Sequence, residues 1–321
     1  MDGGARIRIK AVGAVLSGFK SSSRVGRYEF VYDPACDDYD WLVVFDELPA
    51  GRETLRCPRE RTILCTWEPV SIKSYSRAYT RQFAYLLTNR PPEAERHPGR
   101  HLGRGYFIWF VHDVPKLGLA VDKPRTISAV CSSKQMRRTR HHERFELVKT
   151  LAAEVEGFDW YGKGVQPLDR KEDALTPYKY HVAIENHIAP HHWSEKFADA
   201  ILCECLPFYA GDPALTEISP EECFIPIPID DPAAAVRIVK AAIANGEYEK
   251  RREAFLEAKR LLLTKYNFWH QVIGVIESSS HPPSFIPLPS SVVYARKELR
   301  KRSVSAALED GWDHLRRFFA R

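Results

Sequence analysis

Two apolar runs without alternation stand out early in the chain. WLVVFDEL (residues 41–48) and RTILCTWEP (residues 61–69) each end at polar or acidic residues. Strands that are buried on both faces of a parallel sheet have this pattern, so both runs are predicted to be such strands. Two further strands are predicted over residues 6–13 and 83–88, a helix over residues 74–83, and a turn-rich loop over residues 89–105.

The second half of the chain alternates strands and helices. Strands are predicted over residues 125–133, 158–162, 180–186, 206–211 and 223–227. Helices are predicted over residues 142–155, 194–206 and 231–246, followed by a long helical stretch over residues 248–278 that bends near Asn267. This alternation predicts a doubly wound α/β sheet. Its occurrence in both halves predicts two Rossmann-like domains that face a cleft.

The length of 321 residues is more than one hydrophobic core usually serves. We therefore expect an N-terminal domain over residues 1–120 and a C-terminal domain over residues 121–278, with the junction near residues 116–124. From residue 279 the composition changes to SSSHPPSFIPLPSS, which is typical of a Ser/Pro linker. Residues 279–321 are predicted to be this linker and a basic amphipathic tail.

The tail combines RKELRKR (residues 296–302) with a short helix that carries Leu308, Trp312, Leu315 and Phe319 near one face. Basic and apolar residues in this arrangement suit peripheral contact with an anionic membrane leaflet. A helix that packs back on the N-terminal domain explains the same pattern. Both interpretations remain open at the level of sequence.

Composition narrows the class of protein. The chain is 44% hydrophobic and 28% charged with a net charge of +5, a mild basic excess. That excess fits an anionic substrate or an acidic membrane surface better than nucleic acid, whose binders carry a denser basic stripe. The seven cysteines are scattered, and no second pair completes a zinc pattern with Cys203 and Cys205. They are interpreted as small buried residues in a reducing compartment.

Apolar segments are too short for a membrane span. None approaches the roughly 18 apolar residues that a spanning helix needs. The opening MDGGARIRIKAVG lacks the apolar core of a signal peptide. We expect a cytoplasmic protein, peripheral at most to the inner face of the cytoplasmic membrane.

The stretch YHVAIENHIAPHHWSEKFADAI (residues 180–201) carries the clearest candidate site. Its strand delivers Glu185 and Asn186 to the edge of the sheet, Ser194 is a credible N-cap, and Glu195 and Lys196 lie in the first helical turn. A helix dipole disfavours a lysine there by roughly 0.3–1 kcal/mol, and a bound phosphate reverses that sign. The alternative is a capped helix whose acid and base are solvated.

A second basic junction lies in VCSSKQMRRTRHHERF, where a predicted strand gives way to a helix. Arginine binds phosphate in a fixed two-pronged geometry. Most of these basic residues are expected to form a solvated face. Arg144, about one turn inside the helix, is placed to reach back over the strand ends.

The segments IENHIAPHHWSEKFADAILCECLPFYAGDP and ISPEECFIPI resemble the C-terminal domain of the family 10 glycosyltransferases, the α1,3/4-fucosyltransferases, in their bacterial form. The resemblance covers about residues 123–277, and a looser one extends through EPVSIKSY and QFAYLLT. It implies a GT-B fold in which residues 1–120 bind the acceptor and residues 121–278 bind GDP-fucose. It also implies an inverting transfer that requires no cofactor, with a divalent metal at most stimulatory.

The resemblance assigns roles to individual residues. Glu185 and Asn186 match the family's Glu-Asn, and Glu195 and Lys196 match its Glu-Lys, the implied ribose and diphosphate contacts. Arg144 matches a further diphosphate ligand.

Two more residues match the strand that follows the motif helix. They are Tyr209 and Gly211, which complete the implied donor-binding set together with Ser194.

The chain departs from the family pattern near the helix entry. His187 replaces a serine, and Trp193 precedes Ser194 where the family has other residues. These departures bear on the identity of the donor sugar. The loop histidines His187, His191 and His192 allow a metal site, but we interpret them as loop residues near a nucleotide and expect no metal.

An inverting transfer needs a base that takes the proton of the acceptor hydroxyl. The resemblance implies a glutamate at a strand end of the N-terminal domain, and Glu68 has that position. Asp46 and Glu47, at the end of the previous strand, compete for the role. The D-x-D of residues 38–40 precedes a strand, so we interpret it as a surface loop.

The sequence thus predicts an inverting glycosyltransferase that moves fucose from GDP-fucose to a glycan hydroxyl, with no nucleic-acid partner. Two alternatives stay open: a GT-B transferase with another nucleotide sugar, and a sugar-nucleotide-binding protein without catalysis.

Overall fold

The computed structural model describes residues 5–19, 22–70, 72–104, 109–111, 114–117, 121–134, 140–279 and 291–319, with the backbone alone at residues 310 and 313–319. Its strands, in chain order, are β1 Ile7–Val12, β2 Ser22–Val25, β3 Tyr28–Val31, β4 Trp41–Phe45, β5 Arg52–Thr54, β6 Thr62–Thr66, β7 Tyr85–Thr88, β8 Arg100–Leu102, β9 Arg125–Val130, β10 Phe158–Tyr161, β11 Tyr178–Ile184, β12 Leu206–Ala210, β13 Ile225–Pro226 and β14 Val292–Tyr294. Its α-helices are α1 Arg77–Thr80, α2 His141–Glu154, α3 Glu195–Leu202, α4 Pro232–Ala244, α5 Glu247–Lys250, α6 Arg252–Thr264, α7 Phe268–Ser278, α8 Arg296–Arg302 and α9 Val304–Phe319.

The chain forms two compact units. Unit 1 comprises Met1–Tyr106 and Phe268–Arg321, and unit 2 comprises Phe107–Asn267. These limits differ from the predicted domain limits at residues 120 and 278, because α7 and the tail helices belong to unit 1. The aromatic ring of Phe268 gives the reason, since it contacts the rings of Phe30 and Phe45 in the core of unit 1.

Unit 1 is built on a seven-stranded sheet in the order β2-β3-β1-β4-β6-β7-β8. Its strands are parallel apart from the antiparallel hairpin of β2 and β3. The strand order reverses at β1, which lies between β3 and β4. A separate antiparallel pair joins β5 to β14 and ties the segment before α8 to this unit.

Unit 2 is built on a five-stranded parallel sheet in the order β10-β9-β11-β12-β13. The order reverses between β9 and β11, which are direct neighbours. Ligands of open α/β sheets bind outside the carboxyl ends of the strands at such a reversal. The fold of unit 2 therefore points to the ends of β9 and β11.

The predicted α/β architecture with two Rossmann-like halves is confirmed, and the differences are local. The helix predicted over residues 74–83 is a single turn, α1, and the predicted loop over residues 89–105 contains β8. The predicted bend near Asn267 is a break between α6 and α7. The buried Asn267 amide donates to the carbonyl oxygens of Leu262 and Leu263 at 2.8 and 3.1 Å, which caps the end of α6.

Helix α9 has one covered face and one exposed face. Ala306 is buried, and the carboxylate of Glu309 accepts a hydrogen bond of 2.9 Å from the backbone N–H of Ala78 in unit 1. Val304, Leu308 and Trp312 are 79%, 69% and 59% exposed. Leu315, Phe319 and the Ser/Pro segment 280–290 lie outside the described side chains. In the part of the chain that is described, no helix combines the length and apolarity of a membrane span.

The cysteines form no disulfide. All seven are free thiols, and six of them are buried, Cys36 being the partly exposed one.

Candidate functional site

The candidate site lies where β11 ends and α3 begins in unit 2. Glu185 follows β11 directly, and its backbone N–H donates to the carbonyl of Ala210 at 2.8 Å, which extends the pairing with β12. The side chain of Glu185 is therefore held at the carboxyl edge of the sheet, beside the reversal of strand order between β9 and β11.

Glu185 is buried, with 1% of its surface exposed. Its Oε1 accepts from the N–H and the hydroxyl of Ser194 at 2.9 and 2.8 Å, and its Oε2 lies 2.6 Å from the same hydroxyl. The Ser194 hydroxyl in turn accepts from the N–H of Lys196 at 3.3 Å, which is the predicted N-cap of α3. Burial raises the pKa of Glu185, and the ammonium of Lys196 partly opposes that rise.

Lys196 connects the two acids of the cluster. Its Nζ lies 2.9 Å from Glu195 Oε1 and 3.5 Å from Glu185 Oε2. Burial disfavours the ammonium, but the two carboxylates outweigh burial and raise the pKa of Lys196. Burial likewise acts to raise the pKa of Glu195, yet Lys196 and Lys171 lower it to about 2. Lys196 and Glu195 are therefore both charged at neutral pH.

Arg144 approaches from α2. It is 8% exposed, and its Nη1 donates to the side-chain oxygen of Asn186, the residue after Glu185. Among the described residues its Nε, which is also buried, has no hydrogen-bond partner. A buried N–H without a partner destabilises the folded protein by about 1–3 kcal/mol. Donation of a hydrogen bond from this group to an oxygen of an anionic ligand is therefore favourable.

Tyr209 and Gly211 close the site from β12. The Tyr209 hydroxyl accepts from the N–H of Asp212 at 3.0 Å, and burial raises the tyrosine pKa far above its usual value. A Cβ at Gly211 would lie 2.2 Å from the Tyr209 hydroxyl and 2.6 Å from Cγ of Glu185. Only glycine fits there, because the two side chains occupy the space of any larger residue.

The loop between β11 and α3 is fixed by Asp212. His191 has a left-handed backbone with φ of 61°, and its N–H donates to Asp212 Oδ1 at 2.9 Å. The rings of His187 and His192 meet edge to face with centroids 5.2 Å apart. In the described parts of the chain, no three His, Cys, Asp or Glu residues are grouped in a way that suits a metal ion.

Trp193 lies in the core of unit 2. It is 1% exposed and packs against the ring of Phe197, with centroids 5.9 Å apart. The indole thus stabilises the first turn of α3 through its contact with Phe197. Of the two departures from the family pattern, His187 is the one that is partly exposed.

Sequence reasoning missed Lys171 and Asp199. Asp199 is fully buried in α3 one turn after Glu195, and its Oδ2 lies 2.5 Å from Lys171 Nζ. Lys171 also helps to lower the pKa of Glu195. An acid spaced four residues from Glu195 was visible in the sequence, but nothing identified Lys171 as its partner.

In unit 1, the candidate bases lie at one sheet edge. Glu68 follows β6 by two residues, and Asp46 and Glu47 follow β4, the parallel neighbour of β6. Lys73 Nζ lies 2.5 Å from Asp46 and 3.2 Å from Glu47. Asp46 has φ of 67°, a left-handed backbone that is rare outside glycine.

The D-x-D segment lies at the opposite, amino edge of this sheet, in the loop before β4. The Asp38 side chain is largely exposed and pairs with Arg8, whereas Tyr39 is buried.

The two Rossmann-like units define a GT-B glycosyltransferase fold. No family model matches the sequence, and no curated protein matches it. Among solved structures, an α1,3-fucosyltransferase with GDP-fucose is similar with a TM-score of 0.55 and 13% identity, over 89% of this chain and 94% of that one. An α1,3-fucosyltransferase with GDP has a TM-score of 0.53 and 13% identity, over 87% and 91%. At this identity the likeness shows the fold.

Proposed function

We propose that this chain is an inverting glycosyltransferase whose donor is a nucleoside-diphosphate sugar, GDP-fucose first of all. One observation carries the proposal. At the reversal of strand order in unit 2, the buried Arg144 and the partly exposed Lys196 converge on the start of α3, and Arg144 Nε has no hydrogen-bond partner among the described residues. This arrangement suits a diphosphate.

Each residue of the cluster has a proposed task. Lys196, Arg144 and the positive end of the α3 dipole bind the diphosphate. Glu195, ionised with a pKa of about 2, accepts hydrogen bonds from the ribose hydroxyls. Glu185 is turned inward and holds Ser194, so its task is to fix the start of the helix. Asn186 orients Arg144 in the same indirect way.

The proposed chemistry divides between the units. Unit 1 binds the glycan acceptor, and Glu68 takes the proton of the acceptor hydroxyl as its oxygen attacks the anomeric carbon of the donor. The bond between that carbon and the diphosphate breaks in the same step, which inverts the anomeric configuration. Lys196 and Arg144 stabilise the charge on the departing diphosphate by fixed electrostatics. No cofactor is needed for this chemistry.

Fucose is proposed as the sugar because the motif residues resemble those of the fucosyltransferases, and the similar structures with GDP-fucose and GDP share the fold. His187 is the partly exposed departure from the motif, so it is the residue we expect to influence the choice of sugar.

Membrane contact is proposed for the tail. The apolar face of Val304, Leu308 and Trp312 is exposed, and α8 before it ends in three basic residues. Apolar and basic groups side by side suit the cytoplasmic face of an anionic membrane, where we propose the protein acts.

A nucleotide-sugar hydrolysis screen tests the proposed function without knowledge of the acceptor. GDP-fucose, GDP-mannose, UDP-glucose and UDP-N-acetylglucosamine are incubated with the protein, and released nucleotide is measured by chromatography. We expect GDP release from GDP-fucose, strongly reduced in Glu68→Gln while that variant still binds GDP. Release from a UDP-sugar alone would contradict the choice of donor. Turnover of none of the four sugars, with GDP bound, would favour a binding protein.

A further inference from the structure

We infer that Arg90 is a positioning residue for the proposed base: it fixes the loop that carries Glu68. The inference rests on the proposed function, because it concerns the alignment of a base in a transfer reaction. Neither Arg90 nor its partner Glu95 is singled out by any sequence motif.

Arg90 follows β7 by two residues, and its guanidinium contacts the loop after β6. Its Nε and Nη2 donate to the carbonyl oxygen of Glu68 at 2.9 and 2.5 Å. Its Nη2 also donates to the carbonyl oxygen of Lys73 at 2.5 Å. Its guanidinium lies 4.4 Å from the centre of the Tyr75 ring. One side chain thus contacts three residues of the loop between β6 and α1.

The loop depends on these contacts for its geometry. Within the loop, the carbonyl oxygen of Pro69 accepts from the N–H groups of Ile72 and Lys73, whereas those of Glu68 and Lys73 accept from the Arg90 side chain. A guanidinium offers five N–H donors in one rigid plane, so it can hold two carbonyl oxygens at a fixed distance from each other. Because one of these oxygens belongs to Glu68 itself, the direction in which the Glu68 side chain leaves the backbone is set by Arg90.

Glu95 holds Arg90 in place. Both side chains are almost fully buried, and Glu95 Oε1 lies 3.5 Å from Arg90 Nη1. The other carboxylate oxygen accepts from the hydroxyls of Thr66 and Thr88, at 2.7 and 2.6 Å. These threonines are the last residues of β6 and β7, so the pair is anchored to two neighbouring strands of the sheet. A buried cation needs such a counter-charge.

The same contact reaches the competing acids. Lys73, whose carbonyl is held by Arg90, pairs through its ammonium with Asp46 and Glu47. Each residue considered as the base is therefore linked to Arg90: Glu68 through its backbone carbonyl, and Asp46 and Glu47 through Lys73.

The test is a double-mutant cycle of Arg90→Lys and Glu68→Gln. The single-turnover rate of donor cleavage is measured for the wild type, both single variants and the double variant. Lysine keeps the charge opposite Glu95 but lacks the rigid fork. We expect Arg90→Lys to lower the rate about 100-fold, the cost of a misplaced group of about 1 Å, with GDP affinity unchanged. In the Glu68→Gln background the same change should lower the rate less than about threefold, because the residue acts through Glu68.

Arg59→Lys is the matched control. Arg59 is another buried arginine of unit 1 that donates to backbone carbonyls, those of Gln82 and Val292, away from the loop. The Arg59→Lys variant should have a lower thermal stability than the wild type but the same rate of donor cleavage per folded molecule.

Each outcome bears on the inference. An equal loss of rate from Arg90→Lys in both backgrounds, or a loss equal to that of Arg59→Lys, would show a purely structural role and overturn it. A wild-type rate in Glu68→Gln would overturn it together with the choice of base, while transfer itself stands. Absence of donor cleavage in the wild-type protein refutes the proposed function instead.

Discussion

Gly211 shows how tightly single residues are constrained in the candidate donor site. Its missing side chain leaves room for the Tyr209 hydroxyl and for the stem of Glu185, each closer than 3 Å to the position of a Cβ. We predict that Gly211→Ala lowers the free energy of unfolding by about 1–3 kcal/mol, the usual cost of overpacking, and weakens nucleotide binding by shifting Glu185 and Ser194.

Gly274→Ala is the control for this prediction. Gly274 lies inside α7, and an added Cβ meets nothing within 4 Å. There alanine should stabilise the helix by about 0.5–1 kcal/mol. Denaturant unfolding and GDP titration of both variants measure the contrast. A Gly211→Ala protein as stable as the wild type would contradict the close approach.

The cluster around α3 could be predicted from sequence because its members are local. Ser194, Glu195 and Lys196 are consecutive, and Glu185 precedes Ser194 by nine residues. Arg90 and Glu95 could not be predicted, since their partners are set by the pairing of β6 with β7. The carboxylate of Glu95 meets Thr66, which is 29 residues earlier in the chain.

At the level of elements, strand β11 contains a buried titratable residue with a measurable consequence. His181 is 3% exposed, and its Nδ1 lies 2.8 Å from the hydroxyl of Ser128 in β9. Burial lowers the pKa of His181 to about 3, with Lys171 and Lys123 adding to the effect. The folded protein therefore keeps this imidazole neutral under conditions where the unfolded chain protonates it.

The sign of the pH dependence follows from these two states. The unfolded chain binds a proton near pH 6.5 and the folded protein only near pH 3, so stability present above pH 6.5 is lost as the pH falls towards 3. We predict that His181→Asn reduces this loss, because asparagine does not titrate. Denaturant unfolding at several pH values between 7 and 4 measures the slope. An unchanged slope in His181→Asn would assign the loss to other groups.

Elements with regular alternation were predictable, and those that depend on distant partners were not. Strands β9, β11 and β12 and helix α2 lie close to their predicted positions, because each is a periodic or fully apolar run. Strand β14 has three residues and exists because it pairs with β5, more than two hundred residues earlier in the chain. The short strand β8 likewise depends on β7.

At the scale of the whole molecule, the return of α7 to unit 1 could not be predicted. The sequence from Tyr248 to Ser278 is helical almost throughout, so no change of composition marks the limit of unit 2. The break between α6 and α7 is made by Asn267, which caps α6, and by Phe268, which lies in the core of unit 1. Both effects depend on tertiary contacts.

The exposed face of α9 predicts membrane association that can be measured with vesicles. We expect the protein to sediment with phosphatidylglycerol vesicles at low salt and to be released by 0.5 M salt, since each basic side chain near the surface contributes about 1 kcal/mol. Leu308→Asp, on the exposed face, should weaken sedimentation. Leu117→Asp, which changes an exposed leucine of unit 2, should not. Equal sedimentation with neutral phosphatidylcholine vesicles would contradict an electrostatic contribution.

The central claim is that the cluster at the start of α3 binds the diphosphate of a guanine nucleotide, and calorimetric titration of GDP tests it most directly. Lys196→Met removes one of the two cations of the cluster and leaves Arg144 in place. Lys179→Met, the control, removes a lysine of the same unit that pairs with Glu249 on the surface.

We predict that GDP binds the wild-type protein better than UDP or ADP do. Lys196→Met should weaken GDP binding about 10- to 100-fold, since a charged hydrogen bond contributes about 1.5–3 kcal/mol. Lys179→Met should bind GDP like the wild type. Equal affinity in the two variants, or no binding of any nucleotide, would contradict the account.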